Sequence, residues 1–236
     1  MNLRSEIATP VGKRRYVRRL FATIADRYDL ITVLLSFGLD QRWKDRLIGL
    51  AGITSDDRVL DVACGTGDIL LRARQQARLA VGLDVTLKML LRAAAKVAPP
   101  PHVVAGDMQE LPFPSSSFNV VTAGYGLRNV PHIEQAIEEI ARVLVPRGRL
   151  LSLDFNRPEQ PVVRTAYLTY LAVVGSVLGF VLHRDPDTYR YIPESIRNYP
   201  GAAGVARLLS ERGFTEVRVV PLLGGLMTIH LARRAG

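Results

Sequence analysis

The chain has 236 residues, of which 48% are hydrophobic and 22% charged, so it is long enough for one large domain and too apolar to be disordered. Its single cysteine, Cys64, excludes an internal disulfide framework and suits a reducing compartment. Thirty-one Lys and Arg against 22 Asp and Glu give a net charge of +9, which favours nucleic acid or an acidic membrane surface as a partner. The mean hydropathy of +0.12 favours the membrane surface. The first ten residues have no apolar core, so no secretory signal is expected.

The first 52 residues predict a helical prefix that precedes any strand. Five basic side chains stand close together in it, and apolar residues follow them at helical spacing. The basic residues are Lys13, Arg14, Arg15, Arg18 and Arg19. We expect this helix to present either a solvated basic face or a contact surface for anionic lipid headgroups. Asp40 is expected to cap the next helix, which continues through Leu50.

From Val59 onward, strand patterns alternate with helix patterns. Strands are predicted over residues 59–62, 79–84, 102–105, 118–123, 149–155, 216–221 and 226–232. Helices are predicted over residues 68–76, 86–97, 132–144 and 202–212. This alternation predicts right-handed crossovers and a parallel sheet, with a turn at residues 146–148. Gly224 and Gly225 predict a hairpin, so the α/β fold is expected to have a seven-stranded, mostly parallel sheet with one reversed strand.

Residues 165–182 carry no charge and stand at the lower edge of a membrane-spanning length. A spanning helix here would place strands of one sheet on opposite sides of a bilayer, so we interpret this stretch as a helical cap. The cap either buries apolar surface or lines a site for an apolar substrate. We therefore expect a single domain made of a helical prefix (1–52), a cofactor-binding core (53–157), a helical cap (158–200) and a C-terminal helix with a hairpin (201–236).

Three carboxylates follow successive predicted strands. Asp61 ends the first strand, Asp84 ends the second, and Asp107 follows the third. Open α/β sheets bind ligands at this edge, where the carboxyl ends of the strands meet. The loop after Asp61 contains Gly65 and Gly67, which allow a ligand to approach the backbone closely and leave loop N–H groups free to donate.

An acidic residue about 20 positions after a glycine loop commonly binds ribose hydroxyls, so the pattern predicts a cofactor that contains a nucleoside. The loop lacks the third glycine of a dinucleotide fingerprint, because Leu70 stands in its place, and no Walker-type lysine follows. Asp61 and Asp68 on either side of the loop would repel a pyrophosphate and suit a cation. S-adenosylmethionine, with its sulfonium and ammonium groups, fits this charge best.

The segment from Val59 to Asp68 resembles motif I of class I S-adenosylmethionine-dependent methyltransferases, which have a Rossmann-like fold. More narrowly, the chain resembles the UbiE/MenG quinone-biosynthesis C-methyltransferases, a group that includes demethylmenaquinone methyltransferases, from about residue 20 onward. The stretches that carry the resemblance are Tyr28-Asp29, Ser36-Phe37-Gly38, Trp43-Lys44, Leu111-Pro112-Phe113, Gly126-Leu127-Arg128-Asn129-Val130, Tyr189-Arg190-Tyr191 and Glu194-Ser195-Ile196-Arg197. Motif I identifies only the superfamily, whereas the Gly-Leu-Arg-Asn-Val and Tyr-Arg-Tyr stretches are specific to the quinone enzymes.

The resemblance implies that Thr66, Asp84, Asp107 with Met108, and Gly124 contact the cofactor. Gly124 replaces a serine that is often found there, so a side-chain contact is lost. Other departures from the family pattern bear on substrate fit rather than on the identity of the cofactor. They are Thr32 for asparagine, Asn119 for aspartate and Tyr125 for phenylalanine.

The reaction that the resemblance implies is methylation of a ring carbon of a prenylated hydroquinone, with demethylmenaquinol favoured over a benzoquinol of ubiquinone biosynthesis. The protein must hold the ring carbon in line with the methyl group, exclude water and stabilise a phenolate. Arg128 is expected to stabilise that oxyanion, and Asn129 to orient the hydroquinone. Tyr28 is expected to close over the ring and to share the proton path with water, since an arginine stays charged and is a poor base.

Several alternatives remain open at the level of sequence: a methyltransferase for another small molecule, an RNA methyltransferase or RNA-binding protein that uses the +9 charge, and a Rossmann dehydrogenase. No nucleic-acid motif supports the RNA alternative, so no nucleic-acid partner is expected. The four histidines have no ligand spacing, so no metal is expected. We expect a cytoplasmic enzyme, peripheral at the inner face of the membrane, that acts on a lipid quinol, and the sequence leaves both a monomer and a homo-oligomer open.

Overall fold

The computed structural model describes residues 3–36 and 38–236, so Phe37 of the Ser-Phe-Gly stretch lies outside the described residues. It confirms the predicted α/β fold: one sheet holds seven strands in the order β3-β2-β1-β4-β5-β7-β6. The strands are β1 (Arg58–Val62), β2 (Leu79–Asp84), β3 (His102–Ala105), β4 (Phe118–Gly124), β5 (Leu144–Phe155), β6 (Phe214–Leu222) and β7 (Met227–Arg234).

Strands β1 to β5 run parallel, whereas β7 is antiparallel to both of its neighbours, β5 and β6. The single reversed strand is therefore β7. The order turns back on itself between β1 and β4, which leaves a crevice outside the carboxyl ends of these two strands. That crevice is where the ligand site of an open α/β sheet is expected.

The helices are α1 (Leu3–Glu6), α2 (Pro10–Ile24), α3 (Tyr28–Leu35), α4 (Asp40–Ala51), α5 (Asp68–Arg74), α6 (Leu87–Ala95), α7 (Ile133–Val143), α8 (Pro161–His183), α9 (Tyr191–Arg197) and α10 (Gly201–Glu211). A 3-10 turn, Ala25–Arg27, joins α2 to α3. Apolar spacing determines which face of each helix is buried. In α7, for example, Ile133, Ile137 and Ile140 repeat at helical intervals and pack against the sheet.

The turn predicted at residues 146–148 is wrong. Strand β5 begins at Leu144 and runs through this stretch, and the register beside β4 shifts so that Leu144 pairs with Phe118 and Arg149 pairs with Val120. Arg147 has a positive φ of 61° there. The Pro-Arg-Gly sequence therefore forms an irregularity within a strand instead of a connection between elements.

The predicted cap at Asp40 is also wrong. Helix α4 begins at Asp40, but the carboxylate makes no capping hydrogen bond and is fully buried. It accepts hydrogen bonds from the Lys44 ammonium at 2.6 Å and from the Tyr125 hydroxyl at 2.6 Å. A neighbour one turn along the helix and a distant tyrosine have thus displaced the capping interaction that the sequence favoured.

Helices α2 and α3 and the segment after α8 cover the carboxyl edge of the sheet. They share an apolar cluster in which Leu20 and Ile31 from the prefix meet Met89 of α6 and the pair Tyr189 and Tyr191. Helix α8 is long and apolar enough to cross a membrane, with 28% of its most apolar window buried. Strands β5 and β7, which precede and follow α8 in the chain, are hydrogen-bonded neighbours, so α8 lies against the domain and does not separate its strands.

Candidate active site

The loop between β1 and α5 shapes one side of the crevice. Ala63, Gly65 and Gly67 all have positive φ angles, of 52°, 54° and 85°. The Gly65 N–H donates to Asp84 Oδ2 at 2.9 Å, which ties the ends of β1 and β2 together. A Cβ placed on Gly67 would stand 3.0 Å from the Ala93 Cβ, so this glycine serves the packing of α5 against α6.

A first cavity of about 700 Å³ lies at the carboxyl edge of the sheet. Seven of the predicted site residues line it: Tyr28, Gly65, Asp84, Asp107, Met108, Gly124 and Asn129. A Cβ on Gly124 would approach the Ile69 Cδ1 to 2.5 Å, and one on Gly126 would approach the Ala63 Cβ to 2.7 Å. The serine that is often found at position 124 in the family would fit here only if Ile69 moved, because Ile69 already occupies the space of its side chain.

Asp84 is one of the two carboxylates that border the cavity. Its carboxylate is buried, with Oδ1 accepting from the Thr86 N–H at 2.8 Å and Oδ2 from the Gly65 N–H. Burial raises the pKa of Asp84, and these two backbone hydrogen bonds oppose the shift. A carboxylate has about four lone-pair sites, so each oxygen keeps capacity for a ligand in the cavity.

Three of the residues predicted to contact the cofactor do not line the cavity. They are Asp61, Thr66 and Gly67. Asp61 lies beneath the loop, where its Oδ1 accepts from the Thr122 hydroxyl at 2.7 Å. Burial raises the pKa of Asp61 to about 7. The Thr66 hydroxyl points toward the prefix and donates to Asp29 Oδ1 at 2.6 Å. All three residues shape the loop from outside the cavity.

Two lysines neutralise the negative charge that the sequence led us to expect beside the cofactor at Asp68. Its carboxylate accepts from the Lys44 ammonium at 2.8 Å and from the Lys96 ammonium at 2.6 Å. Burial alone would raise the pKa of Asp68, but the two lysines outweigh burial and hold it well below its usual range. The sequence-based expectation that Asp68 presents negative charge to the cofactor is therefore wrong, and Asp84 and Asp107 are the carboxylates that border the cavity.

Asp29 connects this lysine network to the prefix. It accepts from Thr66 and pairs with Lys96 at 2.8 Å, so α3 is held directly over the glycine loop. The next residue back, Tyr28, places its ring over that loop, with Cε1 3.9 Å from the position of a Cβ on Gly65. Asp29 therefore anchors the helix that holds Tyr28 over the site.

The basic residues of α2 also reach the site. The Arg14 Nε lies 3.0 Å from Asp107 Oδ2, and the Lys13 ammonium donates to the carbonyl oxygens of Arg128 (3.2 Å) and Val130 (2.6 Å). Burial, together with the positive charge of Arg128, lowers the pKa of Lys13 to about 8. Arg19 pairs with Glu6 at 2.7 Å. Three of the five basic side chains of the prefix are therefore engaged within the protein.

A second cavity of about 610 Å³ adjoins the first, and Phe21, Tyr28 and Tyr125 line both. Its walls are otherwise mostly aliphatic and aromatic, and Arg128 is the charged residue among the described residues that line them. Tyr125 stands between the cavities with a φ of 59°, a strained conformation of the kind that concentrates at functional sites. The phenylalanine that is common at this position in the family lacks a hydroxyl, and the Tyr125 hydroxyl donates its hydrogen bond to Asp40.

Arg128 forms a buried ion pair that the sequence did not reveal. Its Nη1 donates to Asp154 Oδ1 at 2.8 Å and to the Tyr125 carbonyl at 2.8 Å, and its guanidinium lies 4.7 Å from the centre of the Phe155 ring. Burial is the strongest single influence on the pKa of Arg128 and lowers it, but the charge and hydrogen bond of Asp154 and the nearby Tyr28 and Tyr191 together outweigh burial, so the pKa lies above its ordinary value and the guanidinium stays charged. Asp154 is the penultimate residue of β5, so a carboxylate close to a strand end was visible here in the sequence as well.

Four buried polar atoms around the two cavities have no hydrogen-bond partner within the described part of the chain: the Thr86 hydroxyl, next to Asp84 in the first cavity, and three others. The three others are Arg128 Nε, Asn129 Oδ1 and the hydroxyl of Tyr191. Arg128 and Tyr191 line the second cavity and Asn129 lines the first. An unsatisfied buried polar group costs roughly 1–3 kcal/mol, so four of them beside connected cavities indicate a polar ligand.

Tyr28 cannot supply a ready base. Burial raises its pKa well above the ordinary value for a phenol, although the charge of Arg128 opposes the shift. Tyr28 is therefore a neutral hydrogen-bond donor at physiological pH. Within residues 3–36 and 38–236, no three His, Cys, Asp or Glu side chains group as metal ligands, and the expectation that no metal takes part stays a prediction.

The comparisons with known proteins agree with this architecture. Residues 9–234 match the profile of the ubiE/COQ5 methyltransferase family. The chain is 37% identical over 232 residues to a demethylmenaquinone methyltransferase of Roseiflexus castenholzii, covering 96% of this chain and 97% of the relative. It is 36% identical over 229 residues to the ubiquinone/menaquinone biosynthesis C-methyltransferase UbiE of Pseudomonas paraeruginosa, covering 92% of this chain and 88% of that one.

Among solved structures, a SAM-dependent methyltransferase of Thermotoga maritima superposes with a TM-score of 0.64 at 15% identity, covering 92% of this chain and 99% of that one. At this identity the likeness shows the fold alone, which is that of a class I methyltransferase. The match of the family profile spans nearly the whole chain, and the relatives align over nearly their whole length. The chain belongs to the ubiE/COQ5 methyltransferase family.

Proposed function

We propose that the protein transfers a methyl group from S-adenosylmethionine to a ring carbon of a prenylated hydroquinone, with demethylmenaquinol as the substrate and menaquinol as the product. The observation that carries the proposal is the pair of adjoining cavities. One is bordered by carboxylates at strand ends, and the other is apolar with one buried arginine. Their shared wall is where a methyl donor and an aromatic ring would meet.

The first cavity fits S-adenosylmethionine. Asp84 would accept hydrogen bonds from the ribose hydroxyls, and Asp107 with Met108 would border the adenine. The orphaned Asn129 Oδ1 offers an acceptor to the ammonium or sulfonium end. When bound, the cofactor supplies a methyl group that its sulfonium already activates, so the protein's tasks are positioning and charge stabilisation.

The second cavity fits the hydroquinone ring. Arg128 Nε and the Tyr191 hydroxyl are donors without partners in a mostly apolar enclosure, and a ring oxygen that develops negative charge would accept from both. Because these donors are buried, their stabilisation of a phenolate is stronger than in water. A phenolate raises the electron density at the neighbouring ring carbon, which is the nucleophile.

The proton balance follows from these charges. The substrate hydroxyl gives up its proton to water, and the ring carbon forms its bond to the methyl carbon as the bond between that carbon and sulfur breaks, so that the electron pair stays on sulfur and a neutral thioether leaves. The ring carbon then loses its own hydrogen as a proton and the ring oxygen regains one, so that one proton is released overall. Arg128 stays charged because Asp154 holds it, so it acts by stabilising charge and not as a base. Tyr28 covers the site, excludes water from the reacting atoms and donates a hydrogen bond as a neutral phenol.

A benzoquinol of ubiquinone biosynthesis is the second candidate substrate. The relatives support both, since the Roseiflexus relative is named for demethylmenaquinone and the Pseudomonas relative for ubiquinone and menaquinone together. The higher identity and fuller coverage of the Roseiflexus relative favour the naphthoquinol. Because the prenyl tail of either substrate resides in a bilayer, we place the reaction at the cytoplasmic surface of the membrane.

The two cavities are separable by mutation. We expect Asp84→Ala to weaken binding of S-adenosylmethionine about tenfold or more in titration calorimetry, because two ribose hydrogen bonds are lost. The double substitution Arg128→Gln with Asp154→Asn removes both buried charges together, so neither is left unpaired. We expect it to retain cofactor binding and to lower turnover of a short-tailed hydroquinone about 100-fold or more.

Binding of NAD in place of S-adenosylmethionine would contradict the assignment of the first cavity. Unchanged turnover in the Arg128/Asp154 double variant would contradict the assignment of the second. The single substitution Arg128→Gln serves as a stability control. It leaves Asp154 buried without a partner and should lower the melting temperature in addition to turnover.

A further inference from the structure

Two helices that pack against each other each present an apolar stripe to solvent. Helix α3 packs against α8. Large apolar side chains recur at helical spacing on the outer face of each, unlike the singly scattered apolar residues of an ordinary protein surface. They are Leu30, Val33 and Leu34 on α3, exposed by 49%, 37% and 43%, and Val173, Val177, Phe180 and Val181 on α8, exposed by 59%, 57%, 64% and 67%. We call these seven residues the α3/α8 face.

Helix α3 is also a wall of the second cavity. Its inner side contributes Tyr28, Ile31 and Leu35 to the lining, and its outer side carries the three residues of the α3/α8 face. The cavity assigned to the hydroquinone ring therefore lies one helix away from the exposed apolar surface. This continuity connects the face to the site of the reaction.

Positive charge borders the face where α8 ends. Arg27 donates to the Leu182 carbonyl and remains exposed, and Arg184 follows the last residue of α8 as an exposed cation. Neither pairs with a carboxylate within the described residues. Of the acids nearest to them in sequence, Asp26 pairs with Lys88 and Arg92, Asp187 pairs with Arg190 at 2.9 Å, and Asp185 accepts from the Thr188 hydroxyl.

We propose that the α3/α8 face is the membrane-docking surface, inserted among the acyl chains of an anionic bilayer while Arg27 and Arg184 contact lipid phosphates. The proposal rests on the proposed function, since a substrate with a prenyl tail requires contact with the bilayer. A second copy of the chain fits the face less well. Helix α8 carries no carboxylate along its length, so pairing of two such faces would bring four arginines together without counter-charge from α8. Lipid phosphates supply that charge.

The test is sedimentation with vesicles of phosphatidylcholine, alone or with about one-third phosphatidylglycerol. The variant Val177→Ser with Phe180→Ser removes exposed apolar surface outside both cavities, so its fold and active site should be unaffected. We expect it to lower the vesicle-bound fraction at least about fivefold. The matched control is Leu87→Ser with Leu91→Ser on α6, where the exposures are 63% and 61%, and it should stay within about twofold of the parent.

A third variant, Arg27→Gln with Arg184→Gln, should lose only the preference for phosphatidylglycerol. Equal losses in the α8 variant and the α6 control would overturn the proposal, as would unchanged vesicle binding in the α8 variant. If the α8 variant instead turns a dimer into a monomer in light scattering while vesicle binding persists, a second copy covers the face and the proposal fails.

Turnover of a short-tailed, water-soluble hydroquinone separates this proposal from the proposed function. We expect the Val177/Phe180 variant to methylate that substrate at the parental rate. A parent protein that binds vesicles through the face but never methylates the hydroquinone would overturn the proposed function alone. A parent protein that methylates the hydroquinone but does not bind vesicles would overturn the docking proposal alone.

Discussion

Tyr191 and Tyr199 present the same chemical group in two different surroundings. Both hydroxyls are buried without a hydrogen-bond partner within the described chain, and burial raises the pKa of both phenols. Tyr191 lines the second cavity beside Arg128, whereas Tyr199 packs in the apolar core between the sheet, α7 and α10. Comparing the two tyrosines therefore distinguishes a hydroxyl that can bind a ligand, that of Tyr191, from one in the core, that of Tyr199.

We expect Tyr191→Phe to lower turnover of the hydroquinone about tenfold, because one hydrogen bond to the developing phenolate is lost. The optimum of the rate should also move to higher pH, since the substrate hydroxyl becomes harder to ionise. Steady-state kinetics across pH measure both effects. Tyr199→Phe is the matched control and should leave the rate unchanged. Equal rates in the two variants would contradict the role of Tyr191.

Asp61 makes folding stability depend on pH in a specific window. Its folded pKa of about 7 exceeds its ordinary value of 3.8, so between these values the folded chain keeps a proton that the unfolded chain has released. Stability from this group therefore falls as pH rises from about 4 to about 7, and changes no further above that. We expect Asp61→Asn to remove this loss, because the amide oxygen can still accept from Thr122.

Urea unfolding at about pH 5 and about pH 7.5 tests this expectation. We subtract the free energy of unfolding of the parent from that of Asp61→Asn at each pH. This difference should be about 1–3 kcal/mol more favourable to the variant at about pH 7.5 than at about pH 5. The shifts of other carboxyl groups, such as the lowered pKa of Asp68, are common to both proteins and cancel in the difference. Parallel pH profiles would show that Asp61 is ionised in the folded protein at acid pH.

At the scale of residues, the sequence predicted which positions lie near the site better than it predicted what each one does. Glycine spacing and carboxylates at strand ends placed Asp84, Asp107 and Gly65 correctly at the cavity. The same signals could not tell that Thr66 turns toward Asp29, because its partner lies 37 residues earlier in the chain. Asp154 was missed although it lies next to the last residue of a strand, and only its ion pair with Arg128 reveals it.

At the scale of elements, the prefix is the part of the fold that completes the site. Helix α3 contributes Tyr28 to both cavities, and Asp29 fastens that helix to the glycine loop and to Lys96 of the segment after α6. The boundaries of most strands and helices followed from apolar periodicity. The errors at Asp40 and at residues 146–148 arose where a distant partner or the register of a neighbouring strand decided the conformation.

We expect Asp29→Ala to raise KM for the hydroquinone about five- to twentyfold and to lower turnover, because α3 loses its anchor above Gly65. Asp26→Ala is the matched control, since Asp26 is similarly exposed and fastens the same region to Lys88 and Arg92 of α6 without touching the loop. Its kinetic constants should change less than about twofold. Equal effects would mean that Asp29 merely attaches the prefix to the domain.

At the scale of the whole molecule, the basic residues that give the net charge of +9 lie in different surroundings. Lys13, Arg14 and Arg19 make hydrogen bonds or ion pairs with other groups of the protein, although the side chains of Arg14 and Arg19 stay 54% and 56% exposed. Arg15 and Arg18 are exposed and make no such contact with the described residues. The expectation of a lipid-binding basic helix therefore rests on fewer side chains than their count suggested. The long apolar α8 and the adjoining α3 offer a separate surface, which composition alone could not locate.

The most direct test of the central claim is the position of the transferred methyl group. The protein is incubated with S-adenosylmethionine labelled with carbon-13 in its methyl group and with a short-tailed demethylated naphthohydroquinone, and the product is examined by carbon-13 NMR. The two-cavity account predicts one labelled methyl carbon bonded to the ring, at the chemical shift of an aryl methyl group. A labelled methoxy carbon, or a quinol that carries no label, would contradict it.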